Sequence, residues 1–119
     1  DMFIAIHCDS SSTASAMGTS AYYYRAYSQP LAKALHQSIV AAYKSDIYAD
    51  KPDSFKNKVS RGANFYAFRV TRVEESPAVL IEYGFVSNTN ECQVLQNAKN
   101  RDTLAKATVE GIKKYISAS

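Results

Sequence analysis

The sequence has no tryptophan, and only four glycines and three prolines in 119 residues. With so few glycines it contains neither a P-loop nor a GxGxxG turn, so nucleotide binding lacks its usual signature. No serine stands in a nucleophile-elbow context, which removes the familiar route to a Ser/His/Asp hydrolase. Two cysteines, Cys8 and Cys92, make no disulfide framework and match no cysteine-based zinc motif; they read as small, semi-buried thiols. No apolar run approaches the roughly 18 to 20 residues that cross a bilayer, so no membrane span is expected. Charge of one sign is also scarce. Fourteen Lys and Arg face eleven Asp and Glu, and the net +3 is scattered along the chain. That pattern argues against a nucleic-acid partner, although a mild positive field suits an anionic polymer.

What is present suits an ordered globular protein: 46% hydrophobic and 21% charged residues, in a length that fits one domain over residues 1–119. The chain starts at Asp1, without an initiator Met or signal peptide and directly before an apolar strand, and reads as a processed product or a fragment.

The run MFIAIH, Met2 to His7, has the composition of a central strand covered on both faces. A polar loop is expected from Asp9 to Ser20, then an edge strand in AYYYRAY. Ser28 and Pro30 signal a helix start, and Leu31, Leu35, Ile39, Ala42 and Tyr43 recur on one helical face up to about Lys44. From Lys44 to Asn64 the pattern is loop with one turn of helix. Strands are expected at Phe65 to Val70 and again in PAVLIE, where Pro77 tolerates a strand's first position. Asn88, three residues before Glu91, predicts a capped helix to about Ala98. A last helix, capped by Asn100 or Asp102, is expected to turn Leu104, Ala105, Thr108, Ile112 and Ile116 inward. Alternating strands and helices, with strands apolar enough to be covered on both sides, predict an α/β fold with a mostly parallel sheet covered by helices on both faces.

Two apolar strands end on groups fit for metal or acid/base chemistry, MFIAIH on His7 and PAVLIE on Glu82. Ligands of open α/β sheets sit outside the carboxyl ends of strands, so neighbouring strands would aim both into one crevice. Neutral imidazole is the commonest zinc ligand, and a nearby carboxylate is the usual base for metal-bound water. The plainer readings stay open: His7 as a hydrogen-bonded structural residue, and Glu82 as a carboxylate paired with an arginine such as Arg69. His36, inside the first helix, reads as structural or solvent-facing. Tyr22 to Tyr24 read as strand packing or, less simply, as a carbohydrate platform. Glu74, Glu75 and Glu91 read as solvated or capping carboxylates.

The stretches DMFIAIHCD, YYY, SQPLAKALHQSI, PAVLIEYGFVSN and LAKATVEGIKKYI, in this order, resemble the zinc-dependent N-acetylmuramoyl-L-alanine amidases of the Amidase_3 type, known from autolysins and endolysins. The resemblance covers nearly the whole chain, and its most specific element is the strand followed by Glu-x-Gly-Phe-x-Ser-Asn. It implies peptidoglycan as partner, Zn2+ as cofactor, and hydrolysis of the amide between the lactyl group and L-alanine. It also implies that His7 matches the last of three zinc ligands and Glu82 the general base. The family's other two ligands, a histidine in a GHGG-like turn and a glutamate, match nothing here. The chain is therefore expected to be the C-terminal portion of a catalytic domain, with the sheet truncated at its N-terminal side, and inactive alone. The alternative is an inactive peptidoglycan-binding or structural module on the same scaffold. The expected location is extracellular or in the cell wall, or cytoplasmic until release for an endolysin. An apolar sheet edge left uncovered implies self-association or a companion fragment.

Overall fold

A computed structural model describes residues 1–118. Four strands form one sheet: β1 (Phe3–Asp9), β2 (Thr19–Tyr23), β3 (Ser60–Phe65) and β4 (Ala78–Phe85), in the spatial order β1-β4-β2-β3. The β1–β4 and β2–β3 pairs are parallel and β2–β4 is antiparallel, so the expected α/β class with a mostly parallel sheet is borne out. The helices are α1 (Gln29–Ala42), the single turn α2 (Asp53–Lys56), α3 (Thr89–Gln96) and α4 (Ala98–Ala118).

Alternation along the strands separates two faces. Ala21, Val79 and Ile81 turn into the core, where Leu31, Leu35 and Ile39 of α1, Val94 and Leu95 of α3, and Leu104 and Ala107 of α4 meet them. α1 and α4 approach closely because Gly111 faces Leu35; a Cβ on Gly111 would lie 2.9 Å from the Leu35 Cα. The opposite face carries Ser20, Tyr22, Leu80 and Glu82. Here the rings of Tyr66 and Phe68 pack edge-on against Tyr22.

Several local expectations change. β1 is an outer strand rather than a central one, paired among the described residues only with β4, and its Phe3 and Ile6 are 44% and 52% exposed. Apolar composition does not distinguish a central strand from an outer one, and the result is the uncovered apolar edge expected above. The AYYYRAY stretch is not an edge strand. Its strand begins earlier, at Thr19, and runs between β4 and β3 with Thr19, Ser20 and Ala21 buried. Small polar residues there resemble loop because they are selected for fit rather than apolarity. Gly18, at φ +112°, supplies the entry turn, and a Cβ on it would lie 2.7 Å from the Lys58 carbonyl oxygen. β3 ends where a strand was expected to begin: Ser60 to Phe65 form the strand beside β2, the Tyr66 N–H still donates to the Tyr23 carbonyl at 2.9 Å, and the rings of Tyr66 and Phe68 pack against Tyr22. Their β-propensity reflects packing more than pairing.

α1 and α3 form as the sequence predicts, with Asn88 accepting from the Glu91 N–H at 3.0 Å. α4 starts two residues before the expected cap, because Asn97 Oδ1 accepts from the Lys99 N–H. Its inward face is Leu104, Ala107, Thr108 and Gly111, while Ala105 and Ile116 are exposed.

Candidate functional site

The register of β1 on β4 sets His7 directly beside Glu82, at a parallel strand spacing of roughly 4.8 Å. Residues paired this way project from the same face, so the two groups singled out in the sequence lie side by side on one face of the sheet. Just beyond them the register shifts, and Asp9 pairs with Phe85 instead of holding step. Such irregularities re-aim side chains next to sites. On the other side of β4, Ser20 of β2 is the antiparallel partner of Glu82, and the Thr19 hydroxyl donates to the Glu82 carbonyl at 2.7 Å. Glu82 is thus fixed by both neighbouring strands.

Its carboxylate is not correspondingly satisfied. Glu82 Oε2 is buried without a hydrogen-bond partner, and so is the Ser20 hydroxyl. The ion pairs among the described residues do not include Glu82, so pairing with Arg69 is not its role. Burial first, and the negative charge of Asp9 second, push the Glu82 carboxyl up to about 7. A half-buried carboxyl balanced between acid and base near neutrality is the kind of group that proton transfer uses. Burial first, and the negative charge of Glu82 second, raise the Cys8 thiol.

Glu91 behaves differently from the capping or solvated carboxylate expected. It is 1% exposed, and its oxygens accept from the Gly18 N–H (2.9 and 3.1 Å) and the Phe85 N–H (2.8 Å). It therefore ties the start of β2 to the end of β4. Gly84 leaves room for it, since a Cβ there would lie 3.1 Å from Glu91 Oε1. Ser87 and Asn88 extend the same linkage to the loop after β1. Ser87 Oγ accepts from the Ser11 N–H, and Asn88 Nδ2 donates to the Ala14 carbonyl. The Gly-Phe-x-Ser-Asn stretch is thus the clamp that holds the loop beside the crevice. Sequence reading missed Ser20, which lies in a stretch that reads as loop, and the role of Glu91, for which its place in the first turn of α3 was the only signal.

His36 is buried on α1 with its Nε2 2.7 Å from the Ser60 hydroxyl, and burial lowers its pKa, consistent with a structural residue. Tyr22 to Tyr24 act in packing: Tyr22 against Tyr66 and Phe68, Tyr24 stacked on Phe65. Glu74 is a solvated partner of Arg25.

A catalytic zinc site takes three protein ligands. Among the described residues no three His, Cys, Asp or Glu side chains are grouped to hold a metal, so the residues beside His7 do not by themselves fit a complete zinc site.

The family model described as N-acetylmuramoyl-L-alanine amidase matches residues 1–114. The chain belongs to this amidase family. Among solved structures, the catalytic domain of CwlV, an N-acetylmuramoyl-L-alanine amidase from Bacillus (Paenibacillus) polymyxa var. colistinus, superposes with a TM-score of 0.82 at 28% identity, over 99% of this chain and 59% of that one. An N-acetylmuramoyl-L-alanine amidase from Clostridium difficile 630 gives 0.81 at 28% identity, over 100% of this chain and 59% of that one. The probable cell wall amidase LytH of Staphylococcus aureus is 31% identical over 118 residues, or 99% of this chain and 36% of LytH. This amidase-family chain thus spans about a third of the length of its curated relatives. Its α/β sheet flanked by helices is the fold of the amidase catalytic domains.

Proposed function

We propose that this chain is the part of a peptidoglycan amidase that carries the general base, acting on the amide between the lactyl group of N-acetylmuramic acid and L-alanine. The observation that carries the reading is Glu82, whose buried Oε2 has no partner and whose carboxyl is raised to about 7, beside His7 on the adjacent strand. Glu82 takes a proton from the attacking water and returns it to the departing L-alanine amine. A pKa near neutrality serves both transfers. His7 is proposed as one ligand of a zinc ion, which when bound polarises the carbonyl and lowers the pKa of water. The remaining ligands must come from outside the described residues, so the 119 residues alone are expected to be inactive. The proposed setting is extracellular, at the cell wall, with the unpaired side of β1 engaged by a second copy or a companion segment.

The lack of a grouped ligand set favours a second reading, an inactive peptidoglycan-binding module. The test is a chimera in which the chain replaces the matched part of the CwlV catalytic domain, assayed for peptide release from muramoyl-L-alanyl peptides and for zinc content. The expected result is one zinc per chimera, lost on His7→Ala, and turnover lowered about 10²- to 10⁴-fold by Glu82→Gln with zinc retained. A zinc-loaded Glu82→Gln chimera with undiminished turnover overturns the role of Glu82. A folded, zinc-free, inert chimera favours the binding module.

A further inference from the structure

β2 enters the sheet with two hydroxyl residues, Thr19 and Ser20, both 1% exposed and both neighbours of Glu82. Their hydroxyls are used differently. That of Thr19 donates to the Glu82 carbonyl at 2.7 Å and so fixes the backbone of β4 at that residue. Ser20 is the antiparallel partner of Glu82, so its side chain stands on the same face of the sheet as the carboxylate. Directly opposite residues of such a pair have Cβ atoms roughly 5 Å apart, a span that a serine hydroxyl and a glutamate carboxylate bridge readily.

As the side chains stand, Ser20 Oγ and Glu82 Oε2 are both sealed from water and unbonded. A buried polar atom without a partner costs stability, and two of them on directly paired residues call for a common explanation. One is a donor and the other an acceptor. A serine hydroxyl moves among three staggered positions, so Ser20 has the freedom to supply the donor that Oε2 lacks. The competing groups are committed: the Thr19 hydroxyl to the Glu82 carbonyl, and the ion-paired Lys and Arg side chains among the described residues to other carboxylates. The other oxygen differs. Glu82 is only half-buried, and Oε1 is not sealed as Oε2 is, so Oε1 is the oxygen that meets solvent.

We propose that Ser20 is a positioning residue for Glu82: its hydroxyl donates to Oε2 and holds the carboxylate in one orientation, leaving Oε1 to take the proton from water. The inference rests on the amidase reading above. Ser20 keeps its own proton throughout and acts only through the aim of Glu82. A carboxylate free to turn presents either oxygen to the reacting water, whereas one tethered at Oε2 presents a single oxygen in a fixed place, and proton transfer depends on that geometry. Consecutive residues of β2 thus hold the backbone and the side chain of the same glutamate.

The test uses the CwlV chimera described above together with the chain itself. In the chimera, Ser20→Ala is expected to lower kcat about tenfold, with KM and zinc content unchanged. In the Glu82→Gln background the same change is expected to alter kcat less than about twofold, because no base is left to aim. A purely structural serine would cost the same in both backgrounds, so an equal loss in each, or no loss in either, overturns the role. In a crystal structure of the chain, Ser20 Oγ is expected about 2.8 Å from a Glu82 carboxylate oxygen. A structure in which the two groups stay apart overturns the contact whatever the kinetics show. If the unsubstituted chimera does not turn over, the amidase reading fails, and the crystal structure of the chain still decides whether Ser20 engages Glu82.

Discussion

Glu82 and Glu91 stand at either end of the same Gly-Phe-x-Ser-Asn stretch, and burial raises the pKa of both, yet they do opposite things. Glu91 is almost wholly enclosed and its oxygens are saturated by two backbone amides. Glu82 is half-buried, and one of its oxygens is sealed from water with no donor in reach. A buried carboxylate that is fully hydrogen bonded stabilises the surrounding chain, whereas one left unsatisfied costs stability and is retained for what it does. Under the function proposed for Glu82, burial alone does not distinguish a structural acid from a reactive one. The state of its hydrogen bonds does.

The sharpest way to break this comparison is Glu91→Ala. It leaves the Gly18 and Phe85 amides buried without acceptors, and is expected to cost about 3 kcal/mol in urea denaturation. A loss below about 1 kcal/mol would mean the clamp is dispensable. Gly84→Ala probes the same clamp more gently. Its new methyl meets Glu91 Oε1 at 3.1 Å and the Tyr43 hydroxyl at 3.4 Å, so a destabilisation of about 1 to 2 kcal/mol is expected by thermal melting.

The smallest effect has the opposite sign. The folded pKa of Glu82, about 7, lies above its ordinary 4.5, so folding favours the protonated form. The favourable contribution is fully present below pH 4.5 and is lost as pH rises through 7. Glu82→Gln keeps a neutral side chain throughout. It should therefore stabilise the chain above pH 7 by on the order of 1 kcal/mol, after allowance for the partial solvation of Glu82, and leave it unchanged below pH 4.5. A Glu82→Gln protein less stable than wild type at alkaline pH would place Glu82 with Glu91 among the structural acids.

Much of this site was legible in the chain. PAVLIE and MFIAIH announce two strands that carry Glu82 and His7, although β4 runs on to Phe85 and β1 to Asp9 instead of ending on them, and the amidase resemblance carried by PAVLIEYGFVSN is matched by the family model and by the solved catalytic domains. What was not legible shares one cause. Ser20 is polar, small and embedded in a loop-like run, and only its pairing with Glu82 gives it a place beside the crevice. Glu91 carries an ordinary helix-start signal, and its second role depends on Gly18, a residue distant in sequence. The FYAF run has strand propensity, yet β3 stops at Phe65 and the rings of Tyr66 and Phe68 pack edge-on against Tyr22, with Tyr66 still exposed.

By itself the sequence determined the α/β class, helix α1 and the Asn88-capped helix α3, the two strands that carry His7 and Glu82, and the family resemblance, because all of these rest on local periodicity and short motifs. Only the tertiary structure decided that β1 is an outer strand, that β2 lies inside the sheet, that Glu91 is saturated while Glu82 is not, and that Ser20 stands opposite Glu82. Each of these depends on which distant backbone amides, carbonyls and charges are brought within a few ångströms, and local pattern carries no information about that.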